Sequence, residues 1–174
     1  MPALRRQKAR QVDPRRLRIG LIEAMRAVMT ARTKVEMEIS RLGWYSKSGD
    51  PVVSKAITQL YTLNYILERV YLRLNTLFVA SYLDWRSLAL LANTLKHAVS
   101  SLNNLPPEVT SQLMALEGLL YDLWAGVEAP PGEEAERQLT QVNDEARRII
   151  QEAQEAARRS VTGSGGMATP LGGA

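Results

Sequence analysis

The chain has 174 residues, carries a net charge of +4 and is 45% apolar, a composition typical of a folded protein rather than a disordered one. It contains no cysteine, which excludes disulfides, thiolate metal sites and thiol nucleophiles. No stretch approaches the roughly 20 apolar residues that span a bilayer, and the charged N-terminus lacks the apolar region of a secretion signal. We therefore expect a soluble, cytoplasmic protein.

Basic residues are concentrated at the N-terminal end. Residues 1–34 hold ten Lys and Arg against two acidic residues, whereas residues 128–159 hold eight acidic residues against five arginines. Such a basic cluster attracts anionic lipid headgroups or nucleic-acid phosphates, although it is also compatible with a solvated tail. No aromatic residue accompanies it to stack on bases. The predicted membrane-binding residues are Arg5, Arg6, Lys8, Arg10, Arg15, Arg16 and Arg18.

Two Asp-Pro pairs, Asp13-Pro14 and Asp50-Pro51, predict helix starts. In each pair the aspartate accepts from free backbone N–H groups, and a proline at the first helical position loses no hydrogen bond. The first helix is expected from Pro14 to about Leu42, weakened locally by Gly20. The Gly- and Ser-rich segment 43–49 predicts a turn, so the second helix should fold back antiparallel on the first.

The run from Val52 to Leu105 is 54 residues long and contains no proline or glycine. Its first half carries apolar residues at alternating steps of three and four, which is the pattern of a coiled-coil seam. One unbroken helix over this run would be about 80 Å long, more than a compact domain of this size needs. The predicted hairpin seam comprises Leu21, Met25, Val28, Val35 and Ile39 on the first helix and Leu60, Leu63, Leu67, Val70 and Leu74 on the second.

The seam is interrupted by Ser81 and Asp84, near the point where the first helix has no more residues to pair. We interpret Ser81, Tyr82, Leu83 and Asp84 as a hinge with two possible outcomes. Either the second helix continues through the hinge into a third as a straight rod, or it breaks there and the next segment folds back.

After the long run, Pro106-Pro107 predicts the start of a short helix that ends near Gly126. An acidic amphipathic helix is expected from about Glu133 to Val161. The predicted fold is therefore all-α, with a long antiparallel hairpin, a second helix extending into a third, a short fourth helix and an acidic C-terminal helix. The predicted organisation is a basic segment (1–13), a hairpin core (14–127), the acidic helix (128–162) and a disordered Gly-rich tail (163–174).

Catalytic signatures are weak. The single histidine, His97, lacks the Glu-x-x-His spacing of di-iron bundles, and phosphate-binding and hydrolase motifs are absent. We expect no enzyme activity, cofactor or metal. One enzymatic alternative is a small all-helical protein of the chorismate mutase type, in which Arg32 on the apolar seam would hold a dianionic substrate. Arg32 is otherwise expected to extend its guanidinium outward, toward Glu68.

The order of these parts resembles the ESCRT-III family, in particular the archaeal cell-division B (Snf7-like) proteins. The local resemblance lies in residues 67–76 (LERVYLRLNT), in 105–109 (LPPEV) and in the Glu-Glu-Ala start of the last helix at 133–135. It covers about residues 5–161.

The resemblance implies a subunit that binds anionic membrane through basic N-terminal residues and polymerises, with itself or with paralogous subunits, to remodel or sever membranes. It also implies that the acidic last helix folds over the hairpin in a closed subunit and is released on assembly. Relatives present a C-terminal motif to an AAA-family ATPase, but the tail here offers only Thr169-Pro170-Leu171. A basic coiled-coil scaffold that binds nucleic acid remains a further alternative.

Overall fold

The residues that the structure describes form five α-helices. The computed structural model describes residues 13–45 and 49–166, and no residue of these ranges lies in a β-strand, so the all-α prediction is confirmed. The helices are α1 (Pro14–Gly43), α2 (Pro51–Ala80), α3 (Trp85–Ser101), α4 (Pro107–Ala125) and α5 (Glu133–Gly166). Among them, none is long and apolar enough to cross a membrane.

Both Asp-Pro pairs begin helices at the predicted residues. The Asp13 side chain accepts a hydrogen bond from the backbone N–H of Arg15 at 3.0 Å, and Asp50 accepts one from Val52 at 2.9 Å. Each aspartate thereby satisfies a backbone donor that the first helical turn leaves free. The starts of α1 and α2 are thus fixed by residues close in sequence.

The first two helices run antiparallel, because the start of α1 lies beside the end of α2. The Arg18 guanidinium carbon is 4.8 Å from the centre of the Phe78 ring. Helix α5 is also antiparallel to α2, since Tyr65 contacts Ser160 whereas Arg73, farther along α2, contacts Glu145. The long hairpin therefore carries the acidic helix along its second arm.

The five helices close into a ring in the order α1, α2, α5, α3 and α4, each packed against its two neighbours. Gly20 permits the close contact between α1 and α4. A Cβ atom at this position would lie 2.5 Å from Cδ2 of Leu123, which is buried in α4. The glycine that weakens α1 locally therefore allows α4 to pack directly against it.

A main hydrophobic core joins all five helices. It contains Leu21, Val28, Val35 and the five predicted seam residues of α2, and Met25 and Ile39 pack against its edge. Ile150 and Ala153 bring α5 into the same core. A smaller cluster joins α3 to α5 through Ala89, Leu90, Val142, Ala146 and Ile149. The acidic helix is therefore an integral part of the bundle.

The expectation of a second helix extending into a third is wrong for this structure. Helix α2 ends at Ala80 and α3 begins at Trp85, so of the two outcomes at the hinge the structure has the break. The physical reason is the apolar face of α3, whose Leu88, Leu91 and Leu95 are buried in the main core. In a straight rod these leucines would extend beyond the N-terminal start of α1 and remain exposed.

The short fourth helix and the start of the fifth lie where they were predicted. Helix α4 begins at Pro107 and is followed by Gly126, and α5 begins at Glu133. Helix α5 runs to Gly166, five residues past its expected end at Val161, and so enters the segment predicted to be disordered. The remaining tail lies outside the described residues.

Candidate functional site

The connection between α2 and α3 is a tight, well-defined break. Ser81 caps α2 in the left-handed conformation, with φ 53° and ψ 27°, and its N–H donates to the Phe78 carbonyl at 3.3 Å. Asp84 caps α3, accepting from the N–H of Ser87 at 3.1 Å and from its hydroxyl at 2.7 Å. A non-glycine residue at positive φ is strained. The predicted hinge residues therefore form a loop with caps on both sides.

The two central hinge residues have different environments. Tyr82 is exposed, whereas Leu83 is half-buried and packs against the main core. Leu83 thus anchors the break to the bundle, and the exposed Tyr82 leaves its ring free for contact with a ligand or partner.

Ion pairs join the acidic helix α5 to α2 and α3, the helices on either side of the break. The Glu145 carboxylate of α5 contacts Arg73 of α2 at 3.2 Å and Arg86 of α3 at 3.3 Å. Farther along, Glu152 contacts Arg69 at 2.8 Å. All five side chains are partly exposed, so each pair is accessible to solvent ions. Helix α5 is therefore joined to the bundle by these ion pairs at the surface and by apolar contacts in the interior.

These ion-pairing residues were not predicted from the sequence. The available signal was spacing: Arg69 and Arg73 are four residues apart and Glu145 and Glu152 are seven apart, so each pair shares a helix face. A basic face on α2 and an acidic face on α5 suggest that the two helices attract each other. The spacing along either helix does not identify which arginine contacts which glutamate. The contribution of Arg86 depends on the chain folding back at the break.

The predicted membrane-binding residues fall into two groups. Arg15, Arg16 and Arg18 are exposed in the first turns of α1. The other four, Arg5, Arg6, Lys8 and Arg10, lie outside the described residues. At the opposite end of α1, about 45 Å away, Trp44 is 85% exposed. The basic cluster and this aromatic side chain therefore mark opposite ends of the hairpin.

Arg32 is partly buried, and its Nε has no hydrogen-bond partner. In the part of the chain that the structure describes it forms no ion pair with Glu68. Asn64 on α2 also has an unpaired buried oxygen.

The described residues form no cluster suited to binding a metal ion. No group of three or more His, Cys, Asp or Glu among them is placed to hold a metal ion. His97 is half-buried on α3, beside Arg147 of α5 at a shallow groove.

An ion pair between α1 and α4, outside the break, shifts the pKa values of both its members. Lys34 of α1 contacts Glu108 at the start of α4 at 2.7 Å. The hydrogen bond from Lys34 holds the pKa of Glu108 below its ordinary value, and the same bond raises the pKa of Lys34. This pair joins α4 to α1 at the end of the bundle that carries Trp44, far from the break.

Comparison with known proteins gives no further assignment. No family model, no curated protein and no solved structure matches this chain.

Proposed function

We propose that this protein is an ESCRT-III-like subunit that binds anionic membrane, polymerises and remodels or severs the membrane, as in cell division or vesicle budding. It would act without enzymatic activity at the cytoplasmic membrane surface, with itself and paralogous subunits as partners. An AAA-family ATPase is a further possible partner, although the tail lacks a clear docking motif. The observation that carries the proposal is the docking of the acidic α5 on basic residues of α2 and α3.

Glu145 gives this docking a mechanical consequence. Its one carboxylate contacts both Arg73 and Arg86. In a continuous helix those two arginines would be 13 residues apart, which corresponds to about 20 Å along the axis, and they would point in different directions. A single carboxylate cannot contact both, so this arrangement favours the bent chain. Release of α5 and straightening at the break are thereby coupled.

Membrane attraction is assigned to the basic start of α1. Each Lys or Arg near an anionic surface contributes about 1 kcal/mol, so Arg15, Arg16 and Arg18 supply a weak contact in one subunit. Assembly would multiply that contact, because neighbouring subunits bind the same surface together. The proposal therefore predicts weak binding by monomers and strong binding by polymers.

Co-sedimentation with vesicles tests the membrane part. The full chain should sediment with acidic vesicles and not with neutral ones, and filaments should be visible by negative-stain electron microscopy. Reversing Arg15, Arg16 and Arg18 to Glu should abolish binding without loss of helicity. The control with the same charge change reverses Arg148, Arg158 and Arg159, which are exposed on α5.

Equal loss in both triple variants would mean that net charge alone controls binding. Retained binding in the α1 variant would place the membrane surface elsewhere. The absence of both binding and filaments at every salt concentration would refute the proposal.

The autoinhibitory part is tested in the full chain. Glu145→Gln should lower the concentration at which filaments form, because it weakens the bent state. Glu155→Gln is the matched control, since Glu155 is exposed on the same helix and forms no ion pair in the described part of the chain. Truncation after Val127 should likewise promote assembly. If α5 is needed for polymers to form at all, it is an assembly element and not an inhibitor.

A further inference from the structure

A cavity of about 470 Å³ opens at the end of the bundle where α1 starts and α2 stops. Its walls are mostly apolar, and the break between α2 and α3 contributes to them. The main apolar side chains are Leu17, Leu21, Leu77, Phe78, Tyr82 and Leu83. This volume lies within the range of small-molecule pockets, about 300–1,000 Å³.

Two cations border the cavity. Arg15 and Arg18 are both exposed and line it. The Asp13 carboxylate accepts from the backbone N–H of Arg15, and neither arginine forms an ion pair in the described part of the chain. Arg18 stacks on Phe78, 4.8 Å from the ring centre, which holds its charge beside the apolar wall.

We propose that this cavity binds the acyl chain of a single anionic lipid, with the phosphate or carboxylate at Arg15 and Arg18. The apolar walls match a hydrocarbon chain, and the two unpaired guanidinium groups match an anionic headgroup at its end. The proposal rests on the proposed membrane function for the source of the lipid. The proposal adds a specific site for one lipid molecule to the basic start of α1, which is otherwise expected to attract anionic membranes only by non-specific electrostatics.

The site is coupled to the break. Ser81, Tyr82 and Leu83 form one side of the cavity, and straightening α2 into α3 would move all three. An occupied cavity therefore favours the bent subunit, because a ligand stabilises the conformation that binds it.

Dodecyl phosphate, kept below its micelle concentration, is the probe for this site. Calorimetry of the full chain should show saturable binding with one site, and ethyl phosphate and dodecyl maltoside should each bind at least tenfold more weakly. The melting temperature should rise by about 5–10 °C at a probe concentration 100 times Kd. The variant Arg15→Gln/Arg18→Gln should lose at least tenfold in affinity.

The double variant Arg26→Gln/Arg148→Gln is the matched control, because both arginines are exposed outside the cavity and the same two charges are removed. Its affinity for dodecyl phosphate should be unchanged. Circular dichroism establishes that each variant is folded. The proposal is overturned if the full chain binds dodecyl maltoside as tightly as dodecyl phosphate, or if the Arg15→Gln/Arg18→Gln variant binds dodecyl phosphate as tightly as the unsubstituted chain. Either result would mean that the probe adsorbs as a detergent.

Three further results separate the remaining possibilities. If dodecyl phosphate binds only after residues 1–12 are deleted, that segment is the occupant in the full chain and the lipid proposal is wrong. If the full chain sediments with acidic vesicles but does not bind dodecyl phosphate, the cavity site fails while the proposed membrane function stands. If the chain binds dodecyl phosphate but does not sediment with vesicles, the cavity is a site for free amphiphiles, and the proposal that the bound lipid comes from a membrane is wrong.

Discussion

Replacing Glu145 by Gln should destabilise the monomer by about 1–2 kcal/mol. The substitution keeps the shape of the side chain but removes the charge that contacts Arg73 and Arg86 at 3.2 and 3.3 Å. Exposed ion pairs contribute about 0.2–1 kcal/mol each. The Glu145 side chain is only 30% exposed, so both pairs should lie toward the upper end of that range. The folded-to-unfolded ratio should fall by a factor of about 5–30.

Urea denaturation followed by circular dichroism measures this loss, with Glu155→Gln as the control. The control should change the free energy of unfolding by less than about 0.5 kcal/mol, as surface substitutions usually do. The difference between the two variants should shrink in 1 M salt, where charges are screened within about 3 Å. A double-mutant cycle with Arg86→Gln should give a coupling energy of at least about 0.5 kcal/mol.

Equal stability of Glu145→Gln and Glu155→Gln would refute the assignment of Glu145 as the link across the break. Strict additivity with Arg86→Gln would do the same, because the two residues would then contribute independently. A loss that high salt leaves unchanged would point to altered packing of α5 instead of lost charge.

Three other substitutions test the caps and the remote ion pair. Ser81→Gly should raise the free energy of unfolding by up to about 1 kcal/mol, because glycine adopts positive φ without strain, and a decrease in the urea midpoint would contradict this. Asp84→Ala should lower it by about 1 kcal/mol through loss of the α3 cap, and an unchanged midpoint would show that the cap is dispensable. Lys34→Met should raise the pKa of Glu108 toward its ordinary value, as measured by NMR titration. The depressed pKa of Glu108 stabilises the fold at pH values above the pKa of this group in the unfolded chain, and the contribution is lost as the pH falls through its pKa in the folded protein. The variant lacks this contribution, so it should lose less stability on acidification than the unsubstituted protein does.

The helix boundaries were largely predictable because their determinants are local. The starts at Pro14 and Pro51 depend on proline and on an aspartate cap, and the start at Pro107 depends on proline alone. The start of α5 at Glu133 follows Pro130-Pro131-Gly132 in the same way. The end of α5 was misplaced because glycine favours a helix stop without enforcing one.

The outcome at the break was not predictable from local sequence. Ser81 is not a residue that favours a left-handed conformation, and no proline or glycine marks the position. The break exists because it lets Leu88, Leu91 and Leu95 enter the main core, and that gain depends on contacts distant in sequence. The ion pair between Arg86 and Glu145 could not be predicted from the sequence for the same reason, because it forms only when the chain folds back at the break.

The two ends of α1 give the molecule a direction. One end carries Arg15, Arg16 and Arg18, and the other carries the exposed Trp44 about 45 Å away. Subunits laid side by side in one orientation would form a ribbon with one cationic edge and one aromatic edge. Subunits in alternating orientation would mix the two along both edges. A flat anionic surface would therefore distinguish the two arrangements, since only the uniform ribbon would stand on one edge.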